Sequence, residues 1–325
     1  MIKIDVDKRK WEKIKEEHSE WYSDNILPNI KNAYEFIESQ KSKSYSIKKY
    51  LELLKKIIDK GKDFIIQKEL FLDYENKEID KIIKIMKKKN KKRKSILEIC
   101  FEKLNISEEY LPNQLFCYKK LYEEGKWSRH KLLSLMGIEV CPYCQRNYIS
   151  SYGKKTTADL DHFYPKSLYP FLALSLYNFI PSCQICNSRF KGNKDVCDSI
   201  YPYEEGFDEL GVKFKTSKEV ISEILGEKKS DFSVEIDCKN IEDKEKKDKV
   251  ENSIGNLGLD RVYEKSHNQY IQDLLYTIEK YPENYLEACG EMFENDNDKK
   301  KQLEEYFKDI VKEPYRKRIE NGEPL

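Results

Sequence analysis

The chain has 325 residues, 39% hydrophobic and 37% charged, with 23 tyrosines and 14 phenylalanines, which supplies a buried core and excludes the composition of a disordered chain. Sixty Lys and Arg nearly balance 59 Asp and Glu, so the formal charge of +1 excludes a uniformly basic nucleic-acid coat and leaves any polyanion to be met by local patches. The longest apolar-rich run, FLALSLYNFI from Phe171 to Ile180, falls short of the roughly 20 residues that cross a bilayer, and MIKIDVDKRKWEKIKEEHSEW lacks the apolar segment of a secretory signal, so a cytoplasmic protein with no membrane partner is expected.

Residues 1–135 read as a helical region. Ile26, Ile30, Ala33 and Ile37 recur at helical spacing, as do Ile47, Leu51, Leu54 and Ile58, and Pro28 sits where a first helical turn tolerates it. A third stripe, Ile79, Ile82, Ile83 and Met86, runs into KKKNKKRK, Lys87 to Lys94, a block suited to phosphate contact but more commonly a solvated helix end or a mobile loop. Residues 136–205 change character, with cysteine pairs, prolines, Gly153 and Gly192 in place of long stripes. In residues 206–325, GVKFKTS and DFSVEID alternate with period two and predict a strand arm, and CKNIEDKEKKDKVEN reads as a charged loop or an exposed helix. Ile271, Leu274, Leu275 and Ile278, then Leu303, Tyr306, Phe307 and Ile310, predict helices around a polar connector, ENDNDKK from Glu294. The expected fold class is α+β, mostly helical. No Walker A loop, Rossmann glycine pattern or solenoid repeat is present.

Cysteine spacing carries the chemistry. Cys141 and Cys144 bracket CPYC, and Cys183 and Cys186 bracket CQIC. One such pair is ambiguous between a redox dithiol and chance. Two pairs give the four thiolates of a tetrahedral zinc site with bonds of roughly 2.3 Å, and a closed four-sulfur shell holds structure without catalysing. Cys100, Cys117, Cys197, Cys238 and Cys289 are solitary, and the plain reading of a small buried hydrophobe suits most of them. Between the pairs stand Asp161 and His162, then Asn178, with Asn187 directly after Cys186. An isolated Asp-His is more often a structural hydrogen-bonded pair than a base. His18, His130 and His267 have no metal-spaced partners and read as surface or packing residues.

The stretch DHFYPKSLYPFLALSLYNFIPSCQICNSRFKG, framed by the cysteine pairs, resembles the HNH, or His-Me finger, nuclease superfamily over roughly Val140 to Tyr201. The resemblance implies a central ββα-metal core stapled by a four-cysteine zinc site, flanked by helical N- and C-terminal regions. It implies His162 as general base, Asp161 and Asn187 as ligands of a catalytic magnesium or manganese ion, and Asn178 as the residue that braces the ribbon or orients His162. Neutral histidine suits proton removal from water near pH 7, and a hard cation on oxygen ligands suits the negative charge of a phosphodiester transition state.

Between Cys141 and Tyr201 seven cations face four carboxylates. Lys166, Arg189 and Lys191 are the candidate phosphate contacts, with ordinary surface charge as the plain alternative. The function expected is an endonuclease leaving 5'-phosphate and 3'-hydroxyl ends, with DNA as the favoured substrate and RNA as an alternative. Similarity to HNH nucleases of bacterial anti-phage defence, including the Septu-type component, adds an ABC-type ATPase as a possible partner. The alternatives are a zinc-stabilised nucleic-acid adaptor without catalysis and, more weakly, a cysteine hydrolase using Cys183 and His162.

Overall fold

The computed structural model describes residues 1–41, 43–68, 95–122, 125, 127–152, 154–217 and 233–266. The predicted stripe at Ile79–Met86, the basic block Lys87–Lys94, His267, Cys289, the connector from Glu294 and the two C-terminal stripes lie outside the described residues. The fold is α+β, with helices and three small two-stranded antiparallel sheets among the described residues. The chain divides into two compact units, residues 1–210 with 245–257, and residues 211–244 with 258–325. Residues 1–135 and 136–205, expected as separate regions, therefore fall inside one unit.

In the first unit, helix α1 (Lys8–Asn25) starts where the Asp7 carboxylate accepts from the backbone N–H groups of Arg9 and Lys10, which satisfies two otherwise unpaired donors. Helix α2 (Leu27–Glu38) carries Pro28 in its first turn and buries Ile30, Ala33 and Ile37. Helix α3 (Tyr45–Lys60) buries Ile47, Leu51 and Leu54 as predicted, but Ile57 and not Ile58 completes the stripe, because Leu53 also faces inward and widens the apolar face to that side. Helix α4 (Ile96–Lys103) opens with a capping box between Ser95 and Glu98. Helix α5 (Arg129–Met136) is capped by Ser128 and stopped by Gly137, whose φ of 64° is the left-handed conformation that glycine adopts at helix ends.

After α5 the chain forms the first cysteine turn, closed by a hydrogen bond from the Cys141 N–H to the Asn147 carbonyl at 3.0 Å. A hairpin follows, β1 (Ser151–Tyr152) with β2 (Lys155–Thr156). Strand β3 (Asp159–His162) then pairs antiparallel with β4 (Phe179–Ser182), in a register that sets Asp159 opposite Ser182 and His162 opposite Phe179. The chain runs from β4 through Cys183 directly into a π-helical turn, Ile185–Lys191. The segment read as a charged loop or exposed helix is helix α6 (Lys244–Leu257), which buries Val250, Ser253 and Leu257.

The second unit contains the predicted strand arm, β5 (Lys213–Thr216) paired antiparallel with β6 (Val234–Asp237). Helix α7 (Leu259–Ser266) packs on β6, and the Phe214 and Tyr263 rings meet with centroids 4.6 Å apart.

Candidate functional site

All four paired cysteines are buried, and their sulfur atoms lie within 4.8 Å of one another. A tetrahedron with bonds of roughly 2.3 Å needs sulfurs about 3.8 Å apart, so this set could hold a metal ion, zinc being the ion that four thiolates favour. The first turn supplies Cys141 and Cys144; the second pair bridges the end of β4 and the π-helical turn. Outer contacts orient the sulfurs, since the Asn147 amide donates to Cys183 Sγ at 3.1 Å and the Cys186 N–H donates to the same atom at 3.4 Å. Hydrogen bonds among the sulfurs pull the Cys183 thiol down and push Cys186 up, the mutual influence expected of four acidic groups converging on one point.

Asp161 on β3 is buried, 4% exposed. Its Oδ2 accepts from the Tyr143 hydroxyl at 2.7 Å, and Lys191 Nζ lies 3.2 Å from Oδ1 and 3.1 Å from Oδ2. Burial pushes the Asp161 carboxyl up, against the opposing pull of Lys191 and Tyr143. Lys191 is only 1% exposed and also donates to the His162 carbonyl at 2.7 Å. Two sequence expectations change here. Lys191 is not a surface phosphate contact, because a buried carboxylate requires a buried cation and Lys191 is that cation. Asp161 has both oxygens engaged and does not meet Asn187. The Asn187 amide instead donates to Asp159 Oδ2 at 3.0 Å, so the carboxylate beside Asn187 is the one two residues earlier on β3.

His162 is 6% exposed and packs edge-on against Tyr118 and Phe179, at 4.6 and 5.3 Å between centroids. Its Nε2 lies 2.9 Å from the Ala173 carbonyl, which can only accept, so Nε2 carries the proton and Nδ1 presents the lone pair. Burial lowers its pKa to about 3, and Lys166 and Lys191 push the same way, so the imidazole is neutral at physiological pH. Asn178 is fully buried and clasps the loop between the strands. Its Oδ1 accepts from the Tyr164 N–H at 2.7 Å, and its Nδ2 donates to the Tyr164 and Leu172 carbonyls at 3.1 and 3.0 Å.

Of the other candidate phosphate contacts, Arg189 and Lys166 are exposed, and Lys166 Nζ sits 4.7 Å above the Tyr118 ring. The sequence reading missed Tyr143, Asp159, Tyr118 and Arg129. Tyr143 stands inside the CPYC motif, and that position was the available signal. Asp159 precedes Asp161 by the two-residue step that keeps side chains on one face of a strand. Tyr118 and Arg129 lie far from the motif in sequence and gave no signal at all. Among known proteins, no family model, no curated protein and no solved structure matches this chain.

Proposed function

We propose that the protein is a metal-dependent nuclease of HNH type, with DNA as the favoured substrate and zinc on Cys141, Cys144, Cys183 and Cys186 as its structural frame. The observation that carries this assignment is the order of elements around His162: an antiparallel ribbon of β3 and β4 runs directly into a helical turn, and the cysteine pairs stand at both ends of that path. His162, Asp159 and Asn187 come from these elements, and the Asn187 amide meets the Asp159 carboxylate at 3.0 Å, so the ribbon and the turn supply a neutral imidazole and, separately, a carboxylate–amide pair.

His162 acts through Nδ1. The Ala173 carbonyl fixes the tautomer, so Nδ1 takes a proton from water as the water oxygen bonds to phosphorus, the bond from phosphorus to the 3'-oxygen breaks, and the departing alkoxide takes a proton from solvent. Asp159 and Asn187 fit a hard cation better than Asp161 does, since the Asn187 side chain can present its oxygen by rotating about its amide plane while Asp161 is held by Lys191. Magnesium or manganese held by Asp159 and Asn187 would supply positive charge to the phosphate oxygens. Asn178 holds the loop that carries Ala173, and so acts on His162 indirectly. An ABC-type ATPase partner and a defence role rest on the sequence resemblance.

A second reading is a zinc-framed adaptor that binds nucleic acid without cutting it. It is favoured by two observations: His162 is almost wholly buried, and Asp161 is paired with Lys191 in place. The two are separated by incubating plasmid DNA, single-stranded DNA and RNA with magnesium or manganese and either wild type or His162→Ala. Cutting by wild type and not by the variant supports the nuclease. Binding by both proteins with cutting by neither sinks it in favour of the adaptor.

A further inference from the structure

The segment before the cysteine frame places polar and aromatic groups next to His162 that the ribbon itself does not supply. Tyr118 lies edge-on to His162 at 4.6 Å, and Tyr122 lies edge-on to Tyr118 at 5.3 Å. Arg129, the first residue of α5, stacks its guanidinium 4.7 Å over the Tyr122 ring and donates from Nη1 to the Tyr122 hydroxyl at 3.2 Å. Lys166 reaches the same cluster from the loop after β3, 4.7 Å over Tyr118. Two cations thus converge on two tyrosines around the imidazole. Tyr122 is 51% exposed, so the cluster reaches solvent.

Two polar atoms of this cluster lack satisfied partners. Arg129 Nε is buried without a hydrogen bond. The Tyr118 hydroxyl, on a side chain more than nine-tenths buried, forms no well-shaped hydrogen bond either, its interaction with the Tyr122 side chain falling short of one. A buried donor left unmet has given up its water without replacement, a cost that an arriving acceptor removes. An anion with several oxygens is the matching acceptor. A guanidinium held flat on a tyrosine presents its remaining N–H groups in the fork that phosphate takes two at a time, and a swing that gives Nε an oxygen breaks no bond at Nε.

We propose that Tyr118, Tyr122, Arg129 and Lys166 form a phosphate-binding rim that holds the backbone of a nucleic-acid strand beside His162. This deepens the nuclease assignment and rests on it for the identity of the ligand. It also gives the helical N-terminal region a task, since Tyr118, Tyr122 and Arg129 all precede the cysteine frame. Tyr122 is the positioning residue: it orients the guanidinium and need not touch the strand.

The test is fluorescence anisotropy with labelled single-stranded and duplex DNA and RNA oligonucleotides, without added magnesium or manganese and without chelator, so that cutting does not interfere and any ion on the four cysteines stays in place, across a salt series. Proteins compared are wild type, Arg129→Ala/Lys166→Ala, Arg129→Lys, and Lys48→Ala as a charge control on an exposed residue of α3. The rim predicts that the double variant loses about tenfold or more in affinity with a salt slope shallower by about 1 per lost contact, that Arg129→Lys recovers part of it, and that Lys48→Ala is unchanged. Circular dichroism and thermal midpoint of the double variant must match wild type. Binding by the double variant with wild-type affinity and salt slope overturns the rim, as does an equal loss in Lys48→Ala. Cutting assays on the same proteins separate the two assignments. Wild type that cuts while the double variant binds and cuts normally removes the rim and keeps the nuclease. Wild type that never cuts, but whose salt-dependent binding is lost in the double variant, removes the nuclease and keeps the rim.

Discussion

Tyr143, the third residue of the CPYC turn, donates its hydroxyl to Asp161 Oδ2 at 2.7 Å, so the first cysteine turn and the strand bearing His162 share a buried hydrogen bond. Lys191, the last residue of the π-helical turn that carries Cys186, holds the same carboxylate. Asp161 is therefore the joint at which both halves of the cysteine frame meet β3. Burial and the neighbouring Asp161 charge both push the Tyr143 phenol pKa up, which keeps it a donor at any working pH.

Tyr143→Phe preserves the ring and deletes the donor. A hydrogen bond to a charged group contributes about 1.5–3 kcal/mol, and the variant is expected to lose that amount in urea denaturation while still folding. An unchanged midpoint and slope would mean that Asp161 is satisfied by Lys191 alone.

Lys191→Met leaves a buried carboxylate without its cation, and breaking such a pair costs about 3–5 kcal/mol. Asp161→Asn/Lys191→Met removes both charges and should regain most of that loss. A double-mutant cycle from chemical denaturation measures the coupling. Additive losses from the two single changes would show that the ion pair does not act as a unit.

The four-cysteine cluster has room for one ion, so metal analysis of purified protein is expected to find about one zinc per chain. Cys183→Ser and treatment with a strong chelator should both remove it. Because binding free energy at such a site is folding free energy, both should lower the thermal midpoint and expose the ribbon to protease. Metal-free protein that keeps its thermal midpoint would show that the thiols do not hold a structural ion.

His18 is fully buried in α1, accepting at Nδ1 from the Trp127 indole at 2.8 Å and donating from Nε2 to the Leu174 carbonyl at 2.7 Å. Burial lowers its pKa to about 4 from an ordinary 6.5. Between those values the unfolded chain binds a proton that the folded chain refuses, so this contribution is complete above the ordinary value and is lost as pH falls toward about 4. The loss is on the order of 3 kcal/mol for a shift of this size. Urea unfolding at several pH values should show it, and His18→Leu should flatten part of the slope. A variant with the same pH slope as wild type would remove His18 from the acid response.

Much of the scaffold was legible from residue order alone. Ile26, Ile30, Ala33 and Ile37 are buried because an apolar stripe at helical spacing has one stable destination, and GVKFKTS pairs with DFSVEID because alternation has one too. The cysteine pairs likewise declared their convergence, since a two-residue gap aims both sulfurs of a pair to one side and Cys141, Cys144, Cys183 and Cys186 meet. Charge is where sequence stopped. Lys191 and Arg189 stand two residues apart and look alike, yet one is sealed against Asp161 and the other is in water. The same holds for Asp159 and Asp161, of which only the first reaches Asn187. A charged side chain goes inward only if a partner from elsewhere in the chain offsets its loss of water, and that partner is set by the packing of β3 against the π-helical turn and the cysteine turn. Local pattern decided which segments fold and what metal chemistry they could frame; tertiary packing decided which carboxylate meets Asn187, which cation is sealed against Asp161 and which tyrosine stands beside His162.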